Sequence, residues 1–280
     1  MALIGAHIST AGGLHKAYQR ADAIGCESMQ IFTRNQRQWL NRPLSFQEIE
    51  DFYIASKQSS VKKVVSHASY LINLAGTDAT RERSEEALIS ELERCNNLSI
   101  GDVVLHPGFA VNGTREEALK QVSASLRKVL NLTCEMKVRI LLETMAGQGS
   151  VLGGDVAQFS GLLDLLEDDP RIGFCVDICH VFAAGYEIRT YESYNRLVGI
   201  LQKNVGLERI HCWHLSDSKM EKGSKKDRHQ HLGEGTIGLA PFSMLVNDIR
   251  FEDVPAVLET PKEGMGDEGN LALLRKLRGE

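Results

Sequence analysis

Eight short apolar runs rich in β-branched residues recur along the 280-residue chain, and seven of them stop on His, Asp or Glu. The runs are IGAH (4–7), SMQIF (28–32), KKVVSH (62–67), GDVVLH (101–106), RILLE (139–143), GFCVD (173–177), RIHCWH (209–214) and PAVLE (255–259). The stretches between them read as helices. SFQE (45–48) and TREE (114–117) have capping-box form, and Asp155 precedes VAQFSGLLDLL as an N-cap. Eight strands with helical crossovers in a chain of this length predict an α/β fold, a (β/α)8 TIM barrel, as a single domain over 1–280. The alternative, a doubly wound open sheet, calls for a Gly-rich first turn, and STAGGLHKA lacks the GxGxxG spacing.

The strand ends carry the functional signal. Barrel strands run parallel, so His7, His67, His106, Glu143, Asp177, His214 and Glu259 converge on the C-terminal mouth, where barrel enzymes place their chemistry. Alternation in RIHCWH puts Ile210, Cys212 and His214 on one side, so His214 is expected at the mouth and His211 beneath a helix. Taken singly, a strand-end His or Asp is more simply a helix cap or hydrogen-bond acceptor. Together, Glu143, Asp177 and Glu259 would repel one another, and divalent cations remove that conflict. The imidazoles of His67, His106 and His214 complete a mixed N/O set suited to Zn²⁺ or Mn²⁺.

His180, three residues beyond Asp177, and Asp227 and His229 from the segment DRHQH add further candidates at the same rim. Spacing alone makes Asp227, His229 and His231 look alike, since all three alternate. Nine candidates exceed one four-ligand site and point to two or three metals. Lys219, Lys222, Lys225, Lys226 and Arg228 form either a solvated loop or a phosphate-facing one. Arg34, Asn35, Arg37, Gln38 and Trp39 in TRNQRQW are residue types that bind phosphate and stack on bases.

The formal charge of −5 argues against a broad cationic nucleic-acid binder, although three bound divalent ions would reverse its sign. No apolar run approaches the roughly 18 to 20 residues needed to span a bilayer. MALIGAHIST lacks a basic region followed by an apolar stretch, so no export signal is expected. The six cysteines are scattered without a CxxC pair, which suggests a reduced, cytoplasmic protein.

GAHISTAGGL, FTRNQRQW, HASYLINLA, LHPG, ETMAGQG, VDICHVFAAGYE, HLSDSK, DRHQHLGEGTIG and LETP together span the chain from end to end. On these motifs it resembles the endonuclease IV family of apurinic/apyrimidinic endonucleases, among the xylose-isomerase-like barrels. The resemblance implies a trinuclear centre, usually of zinc. One metal takes His67, His106 and Glu143, and a second takes Glu143, Asp177, His214 and Glu259. The third takes His180, Asp227 and His229. Glu143 would bridge two metals and orient the nucleophilic hydroxide, and His231 falls outside the set. The chain departs slightly from the family pattern at Thr144-Met145, directly after that Glu.

The implied reaction is base excision repair chemistry. The phosphodiester 5′ of an abasic site in duplex DNA is hydrolysed to a 3′-hydroxyl and a 5′-deoxyribose phosphate, with trimming of blocked 3′ ends. The family bends DNA and extrudes the abasic nucleotide, and Arg37, Tyr70 and Leu71 match the positions that fill the gap. No membrane and no obligate protein partner are expected. The rival enzyme reading is a metal-dependent sugar isomerase or epimerase on the same barrel. Such an enzyme needs Glu143, Asp177, His214 and Glu259, but not the five further ligand candidates.

Overall fold

A computed structural model describes residues 1–39 and 42–280. Its strands are β1 (Leu3–His7), β2 (Ser28–Ile31), β3 (Lys63–His67), β4 (Asp102–Leu105), β5 (Arg139–Glu143), β6 (Ile172–Asp177), β7 (Ile210–Leu215), β8 (Asp217–Ser218), β9 (His229–Gln230) and β10 (Pro255–Leu258). Eight of these close into a barrel in the order β1-β10-β7-β6-β5-β4-β3-β2, and every pair is parallel. The helices are α1 (Lys16–Ala23), α2 (Phe46–Gln58), α3 (Asp78–Asn97), α4 (Arg115–Leu132), α5 (Ala157–Leu165), α6 (Ile178–Ala184), α7 (Tyr191–Asn204), α8 (Ala240–Val246) and α9 (Gly266–Arg278). This is the (β/α)8 TIM barrel read from the strand pattern.

Both capping boxes form. Ser45 and Thr114 accept from the amides of Glu48 and Glu117, whose carboxylates reach back to the capping residues. Asp155 accepts from the Ala157 amide at 3.0 Å, just before regular helix begins. Among the described residues no helix is long and apolar enough to cross a membrane.

The barrel interior explains why strand ends were informative. Val65, Val104, Leu141, Cys175, Cys212 and Val257 form a buried cluster of their own inside the barrel. Two residues further along the same chain segments stand His67, His106, Glu143, Asp177, His214 and Glu259. Side chains two apart in a strand share a face, so the apolar cluster is the floor on which a polar mouth is built. On β1 and β2 the same step leads from Gly5 to His7 and from Ser28 to Gln30, with His7 opposite Gln30 in register. Gly5 admits no substitute, because a Cβ there would lie 1.8 Å from the Ser28 carbonyl oxygen.

One strand departs from simple alternation. Phe174 pairs with Ile210 but Cys175 pairs with Cys212, so a bulge makes His211 the extra residue. Ile210 consequently joins the outer core under the helices. His211 does not pack there as alternation suggested. Its Cδ2 lies 2.6 Å from where a Cβ on Gly173 would be. Burial, followed by the nearby Arg139 guanidinium, pushes its pKa down.

The short antiparallel pair β8–β9 aligns Ser218 with His229 and folds the intervening loop back on itself. The buried Asp217 carboxylate ties β8 to the segment that follows β9. It accepts amide hydrogens from Ser218 (2.7 Å), Gly233 (3.0 Å), Gly235 (3.1 Å), Ile237 (2.9 Å) and Gly238 (3.2 Å).

Candidate metal centre

Glu143 is fully buried and stands at the middle of the mouth. Its Oε2 lies 3.3 Å from His67 Nε2 and 3.2 Å from His106 Nε2. Its Oε1 lies 3.1 Å from His214 Nδ1 and 3.3 Å from His180 Nδ1. Burial alone would push this carboxyl up, but the imidazoles of His214 and His106 hold it well below the usual carboxylate range.

The nine candidates from the sequence come together in three overlapping groups. Donor atoms of His67, His106 and Glu143 lie within 4.8 Å of one another. The same holds for Glu143, Asp177, His214 and Glu259, and for His180, Asp227 and His229. Asp227 faces His180 Nε2 at 3.3 Å with one oxygen and His229 Nε2 at 3.1 Å with the other.

The hydrogen bonds outside the cluster suit it to cations. Nδ1–H of His67 donates to the Ala68 carbonyl at 2.7 Å, and Nδ1–H of His180 donates to the Thr144 carbonyl at 2.8 Å. Nδ1–H of His229 donates to the Glu259 carbonyl at 2.8 Å. Each bond fixes a tautomer and turns the Nε2 lone pair inward, as metal-binding imidazoles require. Asp177 Oδ2, His180 Nε2 and His229 Nε2 are buried without a hydrogen-bond partner. Burial pushes the Asp177 carboxyl up, and the carboxylates of Asp177 and Asp227 raise His180 far above its ordinary value despite its burial. Buried carboxylates and unpartnered lone pairs aimed at one space fit divalent metal ions, and the centre is a divalent metal-binding site.

His231 does not share in this. Its Nε2–H donates to the Glu263 carbonyl at 2.8 Å, and its Nδ1 accepts from Asn270 Nδ2 at 2.9 Å, so both nitrogens are committed. Thr144 has a definite place as well. Its hydroxyl accepts the Asp177 amide at 2.9 Å while its carbonyl orients His180, so the departure after Glu143 supports two neighbours of the cluster.

Gln30 is the residue that sequence reasoning missed. It occupies the mouth position on β2, the one run without a terminal acid or imidazole. Its Nε2 donates to Glu259 Oε1 at 2.7 Å, and lies 3.0 Å from His7 Nδ1. Its Oε1 accepts from His214 Nε2 at 2.8 Å. The polar residues alternating with Met29 and Ile31 were the available signal.

The mouth opens into a cavity of about 440 Å³ lined by Tyr70, His106, Asp227 and Lys262, among others. Tyr70 is 56% exposed, and its ring stands 5.3 Å from that of His67 and 5.4 Å from that of His106. Ser69 Oγ donates to the Gln36 carbonyl at 2.6 Å and accepts the Leu71 amide at 3.2 Å. This ties the Tyr70–Leu71 turn to the loop carrying the exposed Arg37. Arg34 is not available to a ligand. Its side chain is buried, with Nε 3.1 Å from Glu91 Oε2. In the lysine loop, Lys222 pairs with Glu187 at 3.1 Å.

The sequence model of the Xylose isomerase-like TIM barrel family matches residues 18–278. A probable endonuclease 4 of Chloroflexus aurantiacus is 46% identical over 280 residues, covering 99% of this chain and 98% of that one. One from Geobacter sulfurreducens is 40% identical, covering 98% and 93%. The chain belongs to the endonuclease IV family. Within this family, the crystal structure of endonuclease IV from Thermus thermophilus superposes with a TM-score of 0.88 at 33% identity, over 99% of both chains. A D-tagatose 3-epimerase-like protein reaches 0.75 at 20% identity, which marks the shared barrel alone.

Proposed function

We propose that this endonuclease IV family member is a metal-dependent DNA repair endonuclease of the deoxyribonuclease IV type. It hydrolyses the phosphodiester 5′ of an abasic site in duplex DNA, leaves a 3′-hydroxyl and a 5′-deoxyribose phosphate, and trims blocked 3′ ends. The whole of 1–280 acts as one barrel domain, in the cytoplasm and without an obligate protein partner. The observation that carries this reading is the position of Glu143, each oxygen facing two imidazoles, in a chain related over its full length to endonuclease 4 proteins. A sugar isomerase or epimerase on the same barrel leaves the groups around Asp227 without a task.

His67, His106 and Glu143 would hold one ion, Glu143, Asp177, His214 and Glu259 a second, and His180, Asp227 and His229 a third. When bound, such ions, zinc being the best match to this N/O set, supply charge neutralisation and Lewis acidity at the scissile phosphate. The protein's own groups do the rest. Backbone carbonyls lock the imidazole tautomers, and Glu143 sets the spacing between the first two donor groups. Tyr70, Leu71 and Arg37, presented from two linked loops, enter the gap opened by the extruded nucleotide, where extrusion costs least because no base is stacked. Lys262, which donates to the His7 carbonyl at 2.9 Å and pairs with Asp267 at 2.6 Å, lines the mouth.

The test is a duplex bearing one synthetic abasic site. Metal-replete protein is expected to nick it on the 5′ side, leaving an extendable 3′-hydroxyl. An intact duplex, with interconversion of ketoses by the same sample, would overturn the reading.

A further inference from the structure

The floor beneath the mouth has Gly5 and Ser28 on β1 and β2, with the Ser28 hydroxyl committed to the Leu3 carbonyl, and a six-residue cluster on the other strands. Val65, Val104, Leu141 and Val257 offer no donor atom, whereas Cys175 and Cys212 bring two thiols side by side from paired strands. Both are fully buried. Donor atoms of Cys175, Cys212 and His214 all lie within 4.8 Å of one another, close enough for one ion to reach all three.

We propose that Cys175, Cys212 and His214 form a soft-metal site beneath the hard-donor centre, taking thiophilic divalent cations such as Cd²⁺. Thiolates prefer soft cations, whereas the carboxylate-rich ring above suits harder or borderline ions. Charge favours the site too. Two thiolates and a neutral imidazole cancel the charge of a divalent ion, so the assembled group can rest on an apolar floor. Binding is substitution without redox. Two S–H bonds break, two metal–sulfur bonds form, and two protons leave through the mouth.

The two sites share His214. Its Nε2–H is donated to Gln30, so a single lone pair, on Nδ1, serves either site. Occupation from below therefore withdraws a donor from the Glu143, Asp177 and Glu259 group. This competition rests on the metal-centre reading, whereas the thiol site stands without it.

The experiment uses chelator-stripped protein carrying Cys134→Ser, which removes the exposed thiol. Cadmium chloride is added, and the cadmium–thiolate charge-transfer absorption in the ultraviolet is followed. The band is expected to saturate at one ion per chain and to fall by half or more in Cys175→Ala and in Cys212→Ala. It persists in Cys179→Ala, whose thiol lies instead by Asp177 and His229. No band, or a band indifferent to Cys175 and Cys212, overturns the site. Cadmium NMR of the chain with both thiols intact gives the same decision without altering the floor, since sulfur and oxygen/nitrogen ligation resonate far apart. Zinc added after cadmium is expected to fall short by one ion per chain, and the shortfall to vanish in the Cys175→Ala/Cys212→Ala double variant. A full zinc complement alongside an intact thiolate band overturns the competition and leaves the site.

Discussion

Gln30 Oε1 accepts the Nε2 proton of His214 at 2.8 Å, and this one bond decides which nitrogen of His214 faces the acidic cluster. The same amide donates to Glu259 at 2.7 Å, so two members of one donor group are aimed by a single neutral side chain. Groups that orient ligands in this way typically contribute about 10- to 100-fold to metal affinity.

Gln30→Ala is therefore expected to weaken metal binding by about that factor, with nicking restored by excess metal. Gln30→Glu keeps an acceptor for His214 but sets a second carboxylate against Glu259, and is expected to bind metal less tightly than the wild type. Competition against a chelating dye checks both. Affinity unchanged in Gln30→Ala would falsify the positioning role.

Glu143→Gln removes the carboxylate that faces four imidazoles. The neutral amide cannot offer negative charge to two donor groups at once. Nicking is expected to fall by more than about 100-fold, together with metal content measured by atomic emission. Full metal content with full activity would show that Glu143 is not the hub of the centre.

His229→Ala and His231→Ala separate two imidazoles that alternate in sequence but differ in bonding. His229 keeps a buried Nε2 without a hydrogen-bond partner, whereas both nitrogens of His231 are taken by Glu263 and Asn270. His229→Ala is expected to lose bound metal and most activity. His231→Ala should keep its metal and lose stability, on the order of 1–3 kcal/mol for stranded polar partners. Equal metal loss in the two variants would refute the distinction.

The mouth was legible in the sequence because the strand period places every second side chain on one face, and seven runs ended on acids or imidazoles. Gln30 was not, since an amide carries no acid–base signature and its run reads on through Ile31 and Phe32. His211 was misplaced because a bulge leaves no mark in alternation. Arg34 looked free for phosphate because its partner, Glu91, lies in a distant helix. Asp217 passed unnoticed for a similar reason, as its partners are backbone amides brought near only by the fold.

Glu27 joins the first strand of the chain to its last helix. Its carboxylate takes Arg278 Nη1 at 2.6 Å and the Ile4 amide at 3.0 Å. Burial pushes this carboxyl up, but the guanidinium and the amide outweigh it and leave the pKa below its ordinary value. A depressed carboxyl stabilises the fold above its unfolded pKa, and that contribution is lost as pH falls through the folded value. Glu27→Gln is expected to lower stability by about 1 kcal/mol at neutral pH, the figure allowing for partial exposure. The gap between the two proteins should begin to narrow below about pH 4, near the unfolded value, and close only below the lower folded value, where both carry a neutral group. Denaturant unfolding at both pH values checks this, and a pH-independent gap would assign the effect to packing.

Asp217 shows how a residue remote from the mouth can govern it. Its five amide contacts tie β8 to residues 233–238 just beyond β9, and so flank the hairpin that carries Asp227 and His229. Asn in its place would turn an NH2 group toward amide donors, leaving hydrogens facing hydrogens in a buried pocket with no water to relieve them. A lost charge-assisted bond of this kind costs about 1.5–3 kcal/mol. Asp217→Asn is expected to be destabilised by at least that amount and to lose the ion proposed for His180, Asp227 and His229 before the other proposed ions. Stepwise chelation followed by metal analysis reads the order of loss. If all ions left together, at wild-type chelator concentrations, Asp217 would have no special hold over that loop.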